Sequence, residues 1–164
     1  MVRRTAAILA AGSVALSAGC GGTDESPAGG GGVPLTCPIP SHVPSPTFSR
    51  DILPALQTTC GSLASSCHGT PAPAGHVQYG TPPGRAASDV HAALVNVPPS
   101  NAPPGAGWLR VAPGDVAHSW IVEKVTKDQP GGAGYGARMP YAAANLCQAT
   151  IDTLVSWIQQ GAPL

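Results

Sequence analysis

Two cysteines and a histidine stand close together in "TTCGSLASSCHGT", residues 58–70: Cys60, Cys67 and, directly after it, His68. Side chains of these types support three chemistries. The thiols can close a disulfide loop, all three groups can join a metal site, or the thiols can add to the two vinyl groups of a haem while the adjacent imidazole takes its iron. Haem attachment normally uses C-x-x-C-H, whereas the spacing here is C-x6-C-H. A zinc site built on Cys60, Cys67 and His68 lacks a fourth ligand at finger spacing. A further donor is Met139, the only methionine after the initiator, placed in the loop-like stretch "GYGARMPYAA" between glycines and Pro140. A thioether opposite an imidazole makes an electron-transfer iron centre with no open position for substrate.

Composition narrows the field. The chain has 164 residues, a formal net charge of zero and only 10% charged side chains, so it lacks the basic footprint of a nucleic-acid partner. Gly 21 and Pro 19 make up about a quarter of it, and aromatics only 4%. A core with so few large side chains is thin, and small domains in that position add disulfides, a metal or a cofactor.

The N-terminus reads as a secretory signal over residues 1–19, with "MVRR" as the positive region, "TAAILAAGSVAL" as a short apolar run and "SAGC" as the small-residue cleavage site. The run is too short for a stable membrane span. Cys20 resembles the lipidated first residue of a bacterial lipoprotein, although Leu16 lies one place upstream of its favoured position. The alternative is an ordinary cleaved signal followed by an incidental cysteine. Either way the mature chain meets an oxidising, extracytoplasmic compartment, periplasm or cell surface. Residues 20–46 read as a Gly/Pro-rich tether, flexible in its Gly-rich half and extended from Pro38 to Pro46, with Cys37 inside it.

The folded domain is expected over residues 47–164, mainly α, with long Pro/Gly-rich loops. "FSRDILPALQTTC" places Phe48, Ile52, Leu53 and Leu56 on one helical face, with Ser49 as cap. "SDVHAALVNVPP" repeats the pattern through Val90 and Leu94, with Ser88 as cap and Pro98-Pro99 as stop. "APGDVAHSWIVEKVTK" predicts an Asp115 cap, a face of Trp120, Ile121 and Val125, and an outer Glu123–Lys127 pair. "QATIDTLVSWIQQGAPL" carries Ile151, Leu154, Val155 and Ile158 at helical spacing and ends at Gly161 and Pro163. No segment shows sustained period-two alternation.

A helix ending in a cysteine pair and Cys-His, then "APGDVAHSW", "RMP" and "WIQQGA" in that order, resembles the cytochrome c-like domains of the planctomycete type, class I-like monohaem c-type cytochromes. The resemblance covers residues 48–164. It implies a small cytochrome c-like helical fold holding one covalent haem c, with Cys60 and Cys67 as the thioether residues, His68 as proximal iron ligand and Met139 as distal ligand. It implies electron transfer with a redox protein partner rather than an enzyme, whether alone or as a domain serving a larger oxidoreductase. The chain departs from the family in its six-residue spacing, and Gly134-Tyr135-Gly136 stands where some relatives carry a cysteine.

With Cys20 assigned to a lipid that anchors the chain to a membrane, four cysteines remain. If haem takes Cys60 and Cys67, Cys37 and Cys147 are left to pair. The alternative is a haem-free, disulfide-stapled surface or binding module with Cys60–Cys67 and Cys37–Cys147 bridges. His42, His76, His91 and His118 read as solvated side chains, with His118 or His91 as substitutes for Met139. Trp108, Trp120 and Trp157 read as core anchors or rings packed on a cofactor. No nucleophile elbow, Walker loop, H-E-x-x-H or dinucleotide fingerprint is present.

Overall fold

The structure is a computed structural model and describes residues 35–61, 68–69, 77–80, 85–141 and 143–164. Within them the protein is mainly helical, as expected. Strand β1 (Leu35–Thr36) precedes a π-helical turn (Phe48–Ile52), which runs directly into α1 (Leu53–Cys60). Then come α2 (Ala87–Leu94), α3 (Trp120–Thr126), β2 (Asn145–Leu146) and α4 (Gln148–Gln159). The strands β1 and β2 pair in parallel.

The apolar faces are largely those that the periodicity marks, although Ile151 and Val155 of α4 are only half-buried. Phe48, Ile52, Leu53 and Leu56 are buried, as are Val90 and Leu94, Trp120, Ile121 and Val125, and Leu154 and Ile158. Trp157, absent from the expected face of α4, lies at its centre with no exposed surface. It packs on Phe48 and on His91, with ring centroids 5.4 and 6.1 Å away. Its indole N–H donates to the Pro163 carbonyl at 2.7 Å, and the Phe48 amide donates to the same oxygen at 3.1 Å. The tail after α4 therefore joins the first turn of the fold to the last helix.

Helix starts differ from expectation. Ser49 lies inside the π turn, whose entry is held by Asp51: its carboxylate accepts the Thr47 amide at 2.8 Å. Ser88 lies inside α2, which follows Ala86 without a side-chain cap. Asp115 sits a full turn before α3, where its carboxylate accepts the His118 amide at 3.2 Å and pairs with the His118 ring at 2.6 Å. Competing local hydrogen bonds explain these displacements, since short polar side chains serve turns as readily as caps. Helix α2 also stops before the two prolines, because the following chain is drawn into pairing with residues 109–111. Asn96 donates to Val111 O and Arg110 to Val97 O, at 3.0 and 2.7 Å. No Glu123–Lys127 ion pair forms among the described residues; the Glu123 carboxylate accepts the Gly131 amide at 3.3 Å.

The largest difference concerns residues 35–46, expected to be tether. They run along α4. Thr150 Oγ1 donates to Ile39 O and accepts from Ile39 N–H, at 3.1 and 3.3 Å, and Thr153 Oγ1 accepts the Val43 amide at 3.0 Å. His42 bonds Ser156 Oγ at 2.9 Å, and Pro46 is fully buried. Proline-poor in amide donors, this strap needs few partners, and the threonines of α4 supply them. Cys20 and residues 1–19 lie outside the described residues. No helix among the described residues is long and apolar enough to cross a membrane.

Thr153 is fully buried and also donates to Ala149 O at 2.8 Å. Thr153→Val keeps the shape but leaves the Val43 amide without its acceptor. Urea unfolding is expected to give a loss of about 1–2 kcal/mol, with faster hydrogen exchange at Val43 than at the α4 amides.

Candidate functional site: a cavity lined by cysteine, histidine and methionine

Cys60, His68 and Met139 come from three separate parts of the chain and line one cavity of ≈ 310 Å³. Its walls are largely apolar, with Leu56, Val77, Leu94, Trp120, Ile121 and Val125 among them. Such a volume lies at the lower end of the range for pockets that enclose small molecules. The described lining contains two cations, Arg110 and Lys124, and no carboxylate. Cys67 and His76 lie outside the described residues.

His68 is held almost entirely by backbone. Its amide donates to Cys60 O at 3.1 Å, so the chain is back at the end of α1 by residue 68. Its own carbonyl accepts from Tyr79 and Gly80 at 2.9 and 3.4 Å, while Nδ1 donates to Val77 O at 2.7 Å. The last bond fixes the tautomer: a carbonyl only accepts, so Nδ1 carries the proton and Nε2 keeps its lone pair. No described residue bonds Nε2. Burial holds the imidazole pKa below its ordinary value and keeps the ring neutral, the form that ligates metals. The Tyr79 ring flanks it at 4.7 Å between centroids.

The close approach of residues 77–80 to α1 depends on Gly61. Its φ of −103° is open to any residue, but a Cβ there would stand 2.8 Å from Gly80 O and 3.1 Å from Gln57 Cα. Gln57 also ties the two segments, donating from Nε2 to Tyr79 O at 3.2 Å. Cys60 itself is the last residue of α1, and burial pushes its thiol up despite a hydrogen bond with the Thr59 hydroxyl at 3.3 Å.

Met139 is half-buried and packed on the core from a loop that Lys124 grips at three points. The Met139 amide donates to Lys124 O at 2.7 Å, and Lys124 Nζ donates to Ala137 O and Tyr135 O at 2.8 and 3.4 Å. The ammonium also lies 5.9 Å from the Trp120 ring centre, and desolvation lowers its pKa. No sequence motif assigns Lys124 a role. Its signal was positional: Ile121, Lys124 and Val125 share one face at i, i+3 and i+4, so a cation stands on an otherwise buried stripe.

The other described histidines, His42, His91 and His118, stand apart from the cavity. His91 is half-buried rather than solvated; its Nε2 donates to Ala162 O at 2.7 Å and its ring meets Phe48 edge-on. His118 is exposed and paired with Asp115. Neither lines the cavity, so neither is placed to substitute for Met139 there. Among the described residues no cluster of three or more His, Cys, Asp or Glu could hold a metal ion by itself. Trp120 is a cavity wall with Trp108 behind it at 5.2 Å, whereas Trp157 is a core anchor. Cys37 and Cys147 directly follow the paired strands β1 and β2, and neither lines the cavity.

Gly61→Ala tests how the histidine is positioned. Both nearest atoms are backbone and cannot rotate away, so the 77–80 segment has to retreat. A stability loss of about 1–3 kcal/mol is expected on thermal unfolding, with faster hydrogen exchange at the Tyr79 and Gly80 amides that bond His68.

No family model, curated protein or solved structure matches the chain.

Proposed function

We propose that the protein is a membrane-tethered monohaem c-type cytochrome, a cytochrome c-like helical domain that transfers electrons to and from a redox protein partner. Cys60 and Cys67 would hold the haem covalently, with His68 and Met139 as iron ligands. The observation that carries the reading is the convergence of Cys60, His68 and Met139 on one apolar cavity. When bound, haem supplies a one-electron couple whose potential is set by its axial ligands and surroundings.

The residues present fit such a group. The Nδ1–H···O=C bond of His68 to Val77 orients the ring and raises the basicity of Nε2, as carbonyl acceptors behind ligating histidines do. Met139 offers a soft thioether from a loop anchored at three points to Lys124. Apolar walls exclude water and favour the less charged state of an iron centre. Arg110 and Lys124 complement the acidic substituents of a haem in a lining without carboxylates.

The exported protein should show a Soret band and a haem-stained band in a denaturing gel, and acid–acetone should leave the colour on the chain. Haem that extracts completely, or none, with a Cys60–Cys67 disulfide in its place, assigns the protein instead to the haem-free stapled modules. In the haem-bearing protein, Met139→Ala is expected to retain the haem, abolish the thioether-to-iron band and lower the reduction potential by about 0.1 V or more. An unchanged spectrum and potential would remove Met139 as ligand.

Anchoring is a separate part of the proposal and rests on the lipobox-like "LSAGC". Cys20→Ser should move the protein from the membrane fraction to the soluble one. An unchanged distribution would leave the chain extracytoplasmic but unlipidated.

A further inference from the structure

Strand register brings two distant cysteines face to face. Leu35 pairs with Asn145 and Thr36 with Leu146, so the next pair along the parallel ladder is Cys37 and Cys147. The Cys147 amide donates to Thr36 O at 3.0 Å, which carries the ladder up to that pair. Neighbouring strands lie about 4.8 Å apart, inside the Cα separations a disulfide spans. The two thiols are free and close enough to perturb each other's ionisation, Cys147 raising the pKa of Cys37 and Cys37 lowering that of Cys147. Cys147 is buried, its Sγ also held at 3.4 Å from Thr150 Oγ1, whereas Cys37 is exposed.

We propose that Cys37 and Cys147 form a disulfide that locks residues 35–46 onto the start of α4. The chemistry needs an external oxidant, and a small disulfide of the oxidised glutathione type suffices. The exposed Cys37 loses its proton and attacks the oxidant, giving a mixed disulfide and releasing one thiol. Cys147, its neighbour across the ladder, loses its proton and attacks the Cys37 sulfur, releasing the second thiol. Two protein protons and two electrons thus leave with the reduced oxidant. The π turn, α1, α2, α3 and β2 lie between the two positions, so the bridge closes a long loop and removes much freedom from the unfolded chain. The inference is independent of haem, because neither cysteine lines the cavity.

Full-length exported protein, alkylated with iodoacetamide and digested without reduction, should yield a peptide joining Cys37 to Cys147 that separates on reduction. Alkylation of both cysteines before reduction, or either one bonded to Cys60 or Cys67, overturns the pairing. The order of attack is tested on reduced folded protein with oxidised glutathione. Cys147→Ser should trap glutathione on Cys37, while Cys37→Ser should leave Cys147 unmodified; a glutathione adduct on Cys147 overturns the order. Since Cys37 is exposed, Cys37→Ser removes no core packing and should fold, and without reductant it should melt at least about 10 °C below the wild type. Dithiothreitol should bring the two midpoints together. Equal midpoints without reductant overturn the bridge as a staple.

Discussion

The Pro163 carbonyl, shared by the Trp157 indole and the Phe48 amide, is the contact on which the rest of the fold depends. Burying a tryptophan completely is costly unless its N–H finds a partner. Here the partner comes from the chain terminus, which turns back past Gly161 at φ 91° and Ala162 at φ 54°. That turn also presents the Ala162 carbonyl to His91 of α2. One reversal therefore buries the largest side chain, satisfies two polar rings, and joins the π turn, α2 and α4. In a chain with a single phenylalanine and three tryptophans, few alternative cores of this size exist.

From that centre the cavity side is built by continuation. The π turn leads into α1, whose last residue is Cys60, and Gly61 then admits the backbone that holds His68. On the opposite side α3 follows the 109–111 segment, which pairs with the end of α2, and Lys124 on α3 holds the methionine loop. Neither His68 nor Met139 belongs to a helix. Both are positioned by main-chain hydrogen bonds from a neighbouring rigid element, which constrains a loop residue without demanding a particular side chain around it.

Much of this was legible in the sequence because burial follows periodicity. Val90 and Leu94, and Trp120, Ile121 and Val125, sit where the 3.6-residue pattern puts them, and Gly161 ends α4 as expected. The grouping of Cys60, His68 and Met139 followed from residue type and motif order, the only signals available for loop residues. What failed depended on competing hydrogen bonds. Ser49, Ser88 and Asp115 have the chemistry of caps, yet cap preference is a matter of about 1 kcal/mol and a turn or carbonyl nearby can outbid it. The docking of 35–46 was invisible for a related reason: a Gly/Pro-rich stretch has no periodicity, and its partners are threonines on a helix more than a hundred positions away. The helical period of α4 marks its aliphatic residues and carries no sign of what Thr150 and Thr153 bind.

Two histidines show why composition alone could not locate the site. His68 and His91 are both half-buried, and each gives one ring proton to a backbone carbonyl. In His91 that bond uses Nε2, and the ring is wedged against Phe48 and Trp157, so the imidazole acts as a polar brace within the core. In His68 the bond uses Nδ1, the ring lines a cavity, and a thiol and a thioether line the same walls. The difference is not in the imidazole but in which nitrogen the backbone engages. For His68 that choice is made by the Val77 carbonyl, whose approach depends on the missing side chain at Gly61; a glycine with ordinary φ thereby decides which nitrogen of a histidine remains available as a base.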